Sequence, residues 1–182
     1  MPIAAIHHRD SLGRGTFASG SGQAMLEFAA LVTAALIVLF ATIDFSRALY
    51  DLQVMSGLSR QGGNLASRGS TVSDAASAVI AGQAPLNLSV GGKVIMTSII
   101  DNNGVYTITD QASLGGMLPA PSSKLGTGIG NTATLSLAEQ GMLKPGQSIY
   151  VAEVFYSFQP ITPIGSLLHV ALPSTLYEAA YF

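Results

Sequence analysis

The residue of this sequence most suggestive of chemistry is Glu27, because of where it lies. It is a single carboxylate five residues after Gly22, at the head of the uncharged apolar run 29–43. A carboxylate close to lipid is costly and is a functional hypothesis by default. A cation that pairs with it offsets the cost of holding the charge at low dielectric. We therefore expect Glu27 to meet a positive charge from its own chain or from a neighbour.

The apolar run that follows Glu27 predicts a membrane span. As a helix, 29–43 would be about 22 Å long at about 1.5 Å per residue. A bilayer core is about 30 Å thick and needs about 20 apolar residues. The run can span only if it extends back through Leu26 and Met25, which places Glu27 at or inside the membrane boundary. We predict a transmembrane helix from about Ala24 to Ile43.

Segment 22–28, GQAMLEF, resembles the processing and assembly signal of the type IV pilin superfamily. It is most similar to the Flp pilins and TadE-like pseudopilins of the tight-adherence (Tad) secretion system. In that family a prepilin peptidase cuts after a glycine, and the mature chain carries Glu fifth and Phe or Tyr sixth. The resemblance implies a cut after Gly22, with Gln23 first, Glu27 fifth and Phe28 sixth. A cut two residues earlier would make the glutamate seventh and does not fit.

Such a cut would supply the missing cation. It creates an α-ammonium at Gln23, which Glu27 of the same chain or of a neighbour could neutralise. One alternative is a plain signal anchor, in which Glu27 only marks the interface. A secretory signal peptide is a poorer fit, because the residues after Ile43 lack a small-x-small cleavage site. Arg9 and Arg14 in the predicted leader favour a cytoplasmic N-terminus.

Small residues follow one stripe of the predicted span. Ala30 and Ala34 are four residues apart, and Ala41 follows seven residues later. Faces of this kind let helices approach closely in lipid. The other interpretation is that alanine is simply common in apolar helices.

The helix is predicted to continue beyond the membrane to about Gln61. Asp44, Arg47 and Asp51 have the spacing of ion pairs along one side of a helix. Apolar residues after Ile43 also keep the helical period. The resemblance to TadE-like chains includes segment 43–50, IDFSRALY.

After this helix, the pattern becomes that of a small mixed domain. Gly62 and Gly63 are expected to break the pattern of the first helix there, or at least to weaken it. A second helix is predicted from about Ser73 to Ala81, with Thr71 and Asp74 spaced as in a capping box.

A change to period two then predicts strands at 93–100 and 104–109. An Asn-Gly pair between them is typical of a hairpin turn. A calcium loop built on Asp101, Asn103 and Asp110 is the alternative, although the spacing is not that of an EF-hand.

The rest of the chain predicts a loop and two more strands. Residues 111–146 are rich in Gly, Pro and Ser and indicate a long surface loop, with a short helix near Leu135–Met142. Such loops are uncommon unless functional, so a partner-specific surface could lie here. Strands are predicted at 147–158 and 175–182. The resemblance to TadE-like chains returns in segment 153–163, EVFYSFQPITP.

We find no pattern of catalytic residues. His7 and His8 lie in the predicted leader, and His169 is alone in a loop. Glu153 is expected to face the helix or solvent and has no evident catalytic partner. No nucleophile and base are paired in the sequence.

Composition excludes several kinds of site. The chain has no cysteine, so a disulfide or a thiolate metal site is excluded. A net charge of −2 gives no basic footprint for nucleic acid. We predict no enzyme activity, no metal or other cofactor and no small-molecule substrate.

Together these features predict an α+β, pilin-like protein with a small antiparallel sheet of about four strands. We expect residues 1–22 to form a prepilin leader, as the resemblance implies, 23–61 a transmembrane and stalk helix, and 62–182 a domain outside the cytoplasm. The resemblance implies a minor pilin or pseudopilin of a Tad-type pilus, because main Flp pilins lack a large C-terminal domain. We expect it to interact with prepilin peptidase, with inner-membrane lipid and with other pilins, and to take part in surface adherence. The alternative is a single-pass anchored binding or scaffold domain that never enters a filament.

Overall fold

The computed structural model describes residues 18–165 and 172–182. The predicted leader up to residue 17 and the loop around His169 lie outside the described residues. The chain separates into two compact units, Met1–Leu39 and Phe40–Phe182.

The first unit contributes residues 18–39 of helix α1, which runs from Ala18 to Ser67. By length and composition, its portion Gly22–Ser67 is long and apolar enough to cross a membrane. None of the residues in its most apolar stretch is buried by the part of the chain that the structure describes. A side chain that no other part of the chain covers is free to meet lipid or another helix. The predicted long N-terminal helix is confirmed.

Helix α1 does not end at Gly62 and Gly63, and this part of the prediction was wrong. A Cβ atom at Gly62 would lie 2.7 Å from Val79 Cγ2, and one at Gly63 would collide with the ring of Phe182. The two glycines therefore let α1 pack closely against its neighbours. Their poor helix propensity is outweighed by this packing.

In the second unit, one side of α1 is buried at helical spacing. Its buried residues are Asp44, Ala48, Asp51, Met55, Leu58, Ser59, Gly62, Gly63 and Ala66. Helix α2, Val72–Ala81, packs into the same core. The Thr71 hydroxyl accepts a hydrogen bond from the Asp74 amide at 3.0 Å, which is the first half of the predicted capping box. Asp74 Oδ2 accepts the Thr71 hydroxyl, at 2.8 Å, where a capping box would have it accept the Thr71 amide.

Four antiparallel strands form one sheet, as predicted: β1 (Gly92–Asn102), β2 (Val105–Leu114), β3 (Ser148–Ser157) and β4 (Thr175–Tyr181). Their order across the sheet is β2-β1-β3-β4. Short helices α3 (Leu88–Gly91) and α4 (Leu137–Gln140) lie in the connections.

The β1–β2 turn is the predicted hairpin. Asn103 and Gly104 both have positive φ, 54° and 89°, as the favoured two-residue turn requires. The carboxylate of Asp101 accepts the Gly104 amide at 2.6 Å. Asp101 therefore fastens the turn.

The two faces of the sheet carry different cores. Helices α1 and α2 cover one face, where the strands contribute Val94, Met96, Ala152 and Val154. On the other face the strand residues are Ile99, Ile108, Ile149 and Val151, and the covering residues are Leu125, Ala133, Leu135 and Leu143. The segment between β2 and β3, predicted as a surface loop, is therefore partly buried and closes this second core.

Candidate functional site

The predicted processing signal, residues 22–28, is exposed and lies near the start of α1. The side-chain amide of Gln23 donates a hydrogen bond to Glu27 Oε1 at 3.0 Å, across one helical turn. Nothing lies within 4 Å of the position that a Cβ of Gly22 would take. Phe28 is also exposed. The structure thus places Glu27 beside the residue that would become the mature N-terminus.

The predicted packing residues have different surroundings. Ala30 and Ala34 are exposed, whereas Ala41, in the second unit, is half-buried. Ala30 and Ala34 therefore remain available to a neighbouring helix. A true packing seam stays a prediction.

Asp44 joins α1 to the segment after β3. Its Oδ1 atom accepts hydrogen bonds from the amides of Ile161 and Thr162 at 2.9 and 3.4 Å, and its Oδ2 accepts the Thr162 hydroxyl. Burial raises the pKa of Asp44, but these hydrogen bonds and the nearby Arg47 guanidinium outweigh burial, so the pKa is lowered. Asp44 is therefore charged, and both of its carboxylate oxygens accept hydrogen bonds. We call this contact between α1 and the segment after β3 the Asp44 clasp.

Arg47 and Asp51 do not form the predicted ladder of ion pairs with Asp44. Arg47 Nη1 and Asp51 Oδ2 are buried and have no hydrogen-bond partner. Burial raises the pKa of Asp51, and the Arg47 charge opposes this only in part. Asp44 instead accepts hydrogen bonds from Ile161 and Thr162.

A cavity of about 660 Å³ opens beside these two residues, within the second unit. Its polar lining also includes Asn87, Tyr156, Ser157 and Gln159. Apolar lining residues are Val90, Met117, Leu118, Pro160 and Ile161. The cavity is therefore lined by two oppositely charged side chains, each with an unpaired polar atom, and by apolar side chains.

Glu153 faces neither the helix nor solvent, so its predicted placement was wrong. It is buried under the segment between β2 and β3, where its carboxylate accepts the Ser123 hydroxyl, the Lys124 amide at 2.9 Å and the Tyr177 hydroxyl at 3.1 Å. The Lys124 ammonium lies 3.3 Å from the Tyr177 ring centroid. Burial, followed by the Glu153 charge, raises the pKa of Tyr177. These contacts fasten the covering segment to the sheet.

Within residues 18–165 and 172–182, no group of three or more His, Cys, Asp or Glu side chains could hold a metal ion. The Asp101 carboxylate caps its turn, and Asp110 Oδ1 accepts the amide of Gln111.

Sequence reasoning missed the Asp44 clasp and the cavity. Asp44 and Thr162 are 118 residues apart in the chain, so no local period connects them. The available signal was that both lie in segments where the sequence alone suggested a resemblance to TadE-like chains, 43–50 and 153–163.

Comparison of the sequence with protein families shows that the family described as TadE-like protein matches residues 22–64. The match covers the signal-like segment and most of α1, and it ends before the sheet. No curated protein and no solved structure matches the chain significantly. The resemblance seen at the N-terminus is thereby confirmed for this segment.

Proposed function

We propose that this chain, which matches TadE-like proteins over its long N-terminal helix, is a minor pilin or pseudopilin of a Tad-type pilus. It is held in the bacterial inner membrane by one span, with the N-terminus cytoplasmic and the sheet domain periplasmic. Prepilin peptidase removes the leader after Gly22. The mature chain then takes part in assembling the filament with other pilins and in surface adherence.

The observation that carries this proposal is the position of Glu27 on an uncovered apolar helix. Its carboxylate already reaches back one turn to the side chain of Gln23. If cleavage leaves an ammonium on Gln23, the new charge lies at the positive end of the helix dipole, where a nearby carboxylate is stabilising. A plain anchor gains nothing from a carboxylate in this place, because a charge near lipid is costly.

The exposed surface of α1 suits a pilin both while it is in the membrane and after it has entered a filament. In the membrane, the apolar side chains meet lipid. In a filament, they meet the helices of neighbouring subunits, and small residues such as Ala30 and Ala34 allow close approach. The proposed cleavage point lies within α1, and Gly22 weakens the helix there by about 0.5–1 kcal/mol relative to alanine.

The first test is the intact mass of the chain purified from its own membranes. We expect a chain that begins at Gln23. In the Gly22→Ala variant we expect the unprocessed mass, while Gly57→Ala, in the same helix, should mature normally. A native chain that still begins at Met1 would contradict the proposal and favour an anchored binding or scaffold domain.

The second test separates assembly from insertion. The Glu27→Ala variant should insert in the membrane but fail to support pilus formation, because the mature ammonium loses its partner. Glu178→Ala, which removes a carboxylate from β4, is the matched control and should leave pilus output unchanged. Normal pilus output from Glu27→Ala would count against the assigned role of Glu27.

A further inference from the structure

The cavity beside Arg47 and Asp51 has unused binding capacity. Asp51 is only 5% exposed, yet its Oδ2 atom has no hydrogen-bond partner, and neither has Arg47 Nη1. Buried polar atoms are normally satisfied, and leaving them unpaired costs free energy. The most favourable ligand would therefore carry a negative charge for Arg47 and a hydrogen-bond-donating positive charge for Asp51.

We propose that this cavity binds the headgroup of a phospholipid that carries a primary ammonium. Arg47 donates to the phosphate, and Asp51 accepts from the ammonium. This proposal rests on the part of the proposed function that places α1 in a membrane. It is independent of processing and of pilus assembly.

The cavity lies at the depth of lipid headgroups. Asp44 is the first residue beyond the predicted span, and the amides of Ile161 and Thr162 bind its carboxylate. Ile161 also lines the cavity, together with Arg47. The Asp44 clasp therefore holds one wall of the cavity at the level where the apolar run ends and the headgroup layer begins.

The order of the two charges matches the order within the headgroup. Arg47 is nearer the span than Asp51 by one helical turn, about 6 Å along the axis. In an aminophospholipid the phosphate is attached to the glycerol, and the ammonium lies further from the acyl chains. A phosphate near Arg47 therefore directs the ammonium toward Asp51. A quaternary ammonium has no N–H to donate to the Asp51 oxygen, so such a lipid would leave the carboxylate unsatisfied.

The rim of the cavity favours lipid over a soluble polar ligand. Val90, Leu118 and Ile161 line the cavity, and they are 68%, 87% and 65% exposed. Apolar side chains this exposed and clustered mark interaction sites. At the membrane surface, the glycerol and upper acyl region of a bound lipid would cover them.

The test is native mass spectrometry of the full-length protein in detergent. Phosphatidylethanolamine and phosphatidylcholine with identical acyl chains are added in equal amounts. We expect one lipid per chain and about a tenfold preference for phosphatidylethanolamine, as for one hydrogen bond to a charged group. Asp51→Asn should remove the preference, whereas Asp110→Asn, an exposed carboxylate on β2, should retain it.

A second variant keeps the test decisive if Asp51→Asn folds poorly. Leu118 is almost fully exposed, so Leu118→Ser should fold normally. It should weaken retention of both lipids without changing their ratio, whereas a soluble-ligand site would be unaffected.

Three outcomes would overturn the proposal. The first is equal retention of both lipids by the unaltered protein, or a preference that survives Asp51→Asn. The second is a lipid-free dimer that Asp51→Asn dissociates, which would make a second copy the occupant. The third is binding of glycerophosphoethanolamine, the headgroup without acyl chains, as tightly as the whole lipid. Each can be read on the unprocessed chain, so failure here is distinguishable from failure of maturation.

Discussion

Asp44 shows how one charge organises the part of the domain next to the apolar run. Its carboxylate is buried, but two backbone amides and one hydroxyl satisfy it. The segment after β3 has no strand partner of its own at these residues, so the hydrogen bonds to Asp44 position it. Hydrogen bonds to a charged group contribute about 1.5–3 kcal/mol each.

We expect Asp44→Asn to lower the free energy of unfolding by about 2–3 kcal/mol at pH 7. The native pKa of Asp44 lies below its ordinary value of 3.8. As the pH falls below 3.8, Asp44 of the unfolded chain is protonated first, while Asp44 of the folded chain stays charged. The stabilisation that the charged Asp44 gives the folded state is therefore lost as the pH falls through the lower native pKa. The difference between the two proteins should therefore narrow in acid, measured by denaturant titration with circular dichroism. A difference that does not depend on pH would mean that the Asp44 charge is unimportant.

At the scale of elements, the glycines of α1 have opposite roles. Gly62 faces Val79 and Met96, whereas nothing lies within 4 Å of a Cβ at Gly57. Gly62→Ala should destabilise the domain by about 1–3 kcal/mol through overpacking. Gly57→Ala should instead stabilise it by about 0.4–1 kcal/mol, because it reduces the freedom of the unfolded chain. Thermal unfolding in detergent compares the two, and equal effects would contradict the packing seen here.

The elements themselves were largely predictable, because local patterns specify them. The apolar period predicted α1, the Asn-Gly pair predicted the β1–β2 hairpin, and Thr71 predicted the start of α2. The end of α1 was not predictable in this way, because tertiary packing of Gly62 and Gly63 overrides their propensity. The same limit applies to the candidate site. The position of Glu27 could be inferred from spacing, but the surroundings of Asp44, Asp51 and Glu153 depend on segments distant in sequence.

At the scale of the whole molecule, the apolar half of α1 decides where the protein resides. We expect the chain to remain with membranes after alkaline carbonate extraction. Leu36→Arg should release a measurable fraction, because a cation at the centre of a span costs about 2.5–3.5 kcal/mol. Ser46→Arg, beyond the predicted span, is the matched control and should stay in the pellet. Release of the unaltered chain by carbonate would contradict a membrane span.

The strand order has a consequence for how the protein is made. Strand β3 lies between β1 and β4, although the chain supplies it long after β1 and β2. During synthesis, one edge of β1 therefore stays unpaired until β3 has been made. Unpaired strand edges of this kind promote aggregation. Contacts between residues far apart in sequence also form slowly. We therefore expect the nascent chain, once its N-terminal helix is in the membrane, to depend on chaperones or on this membrane attachment. Either would keep neighbouring copies apart until β3 pairs with β1.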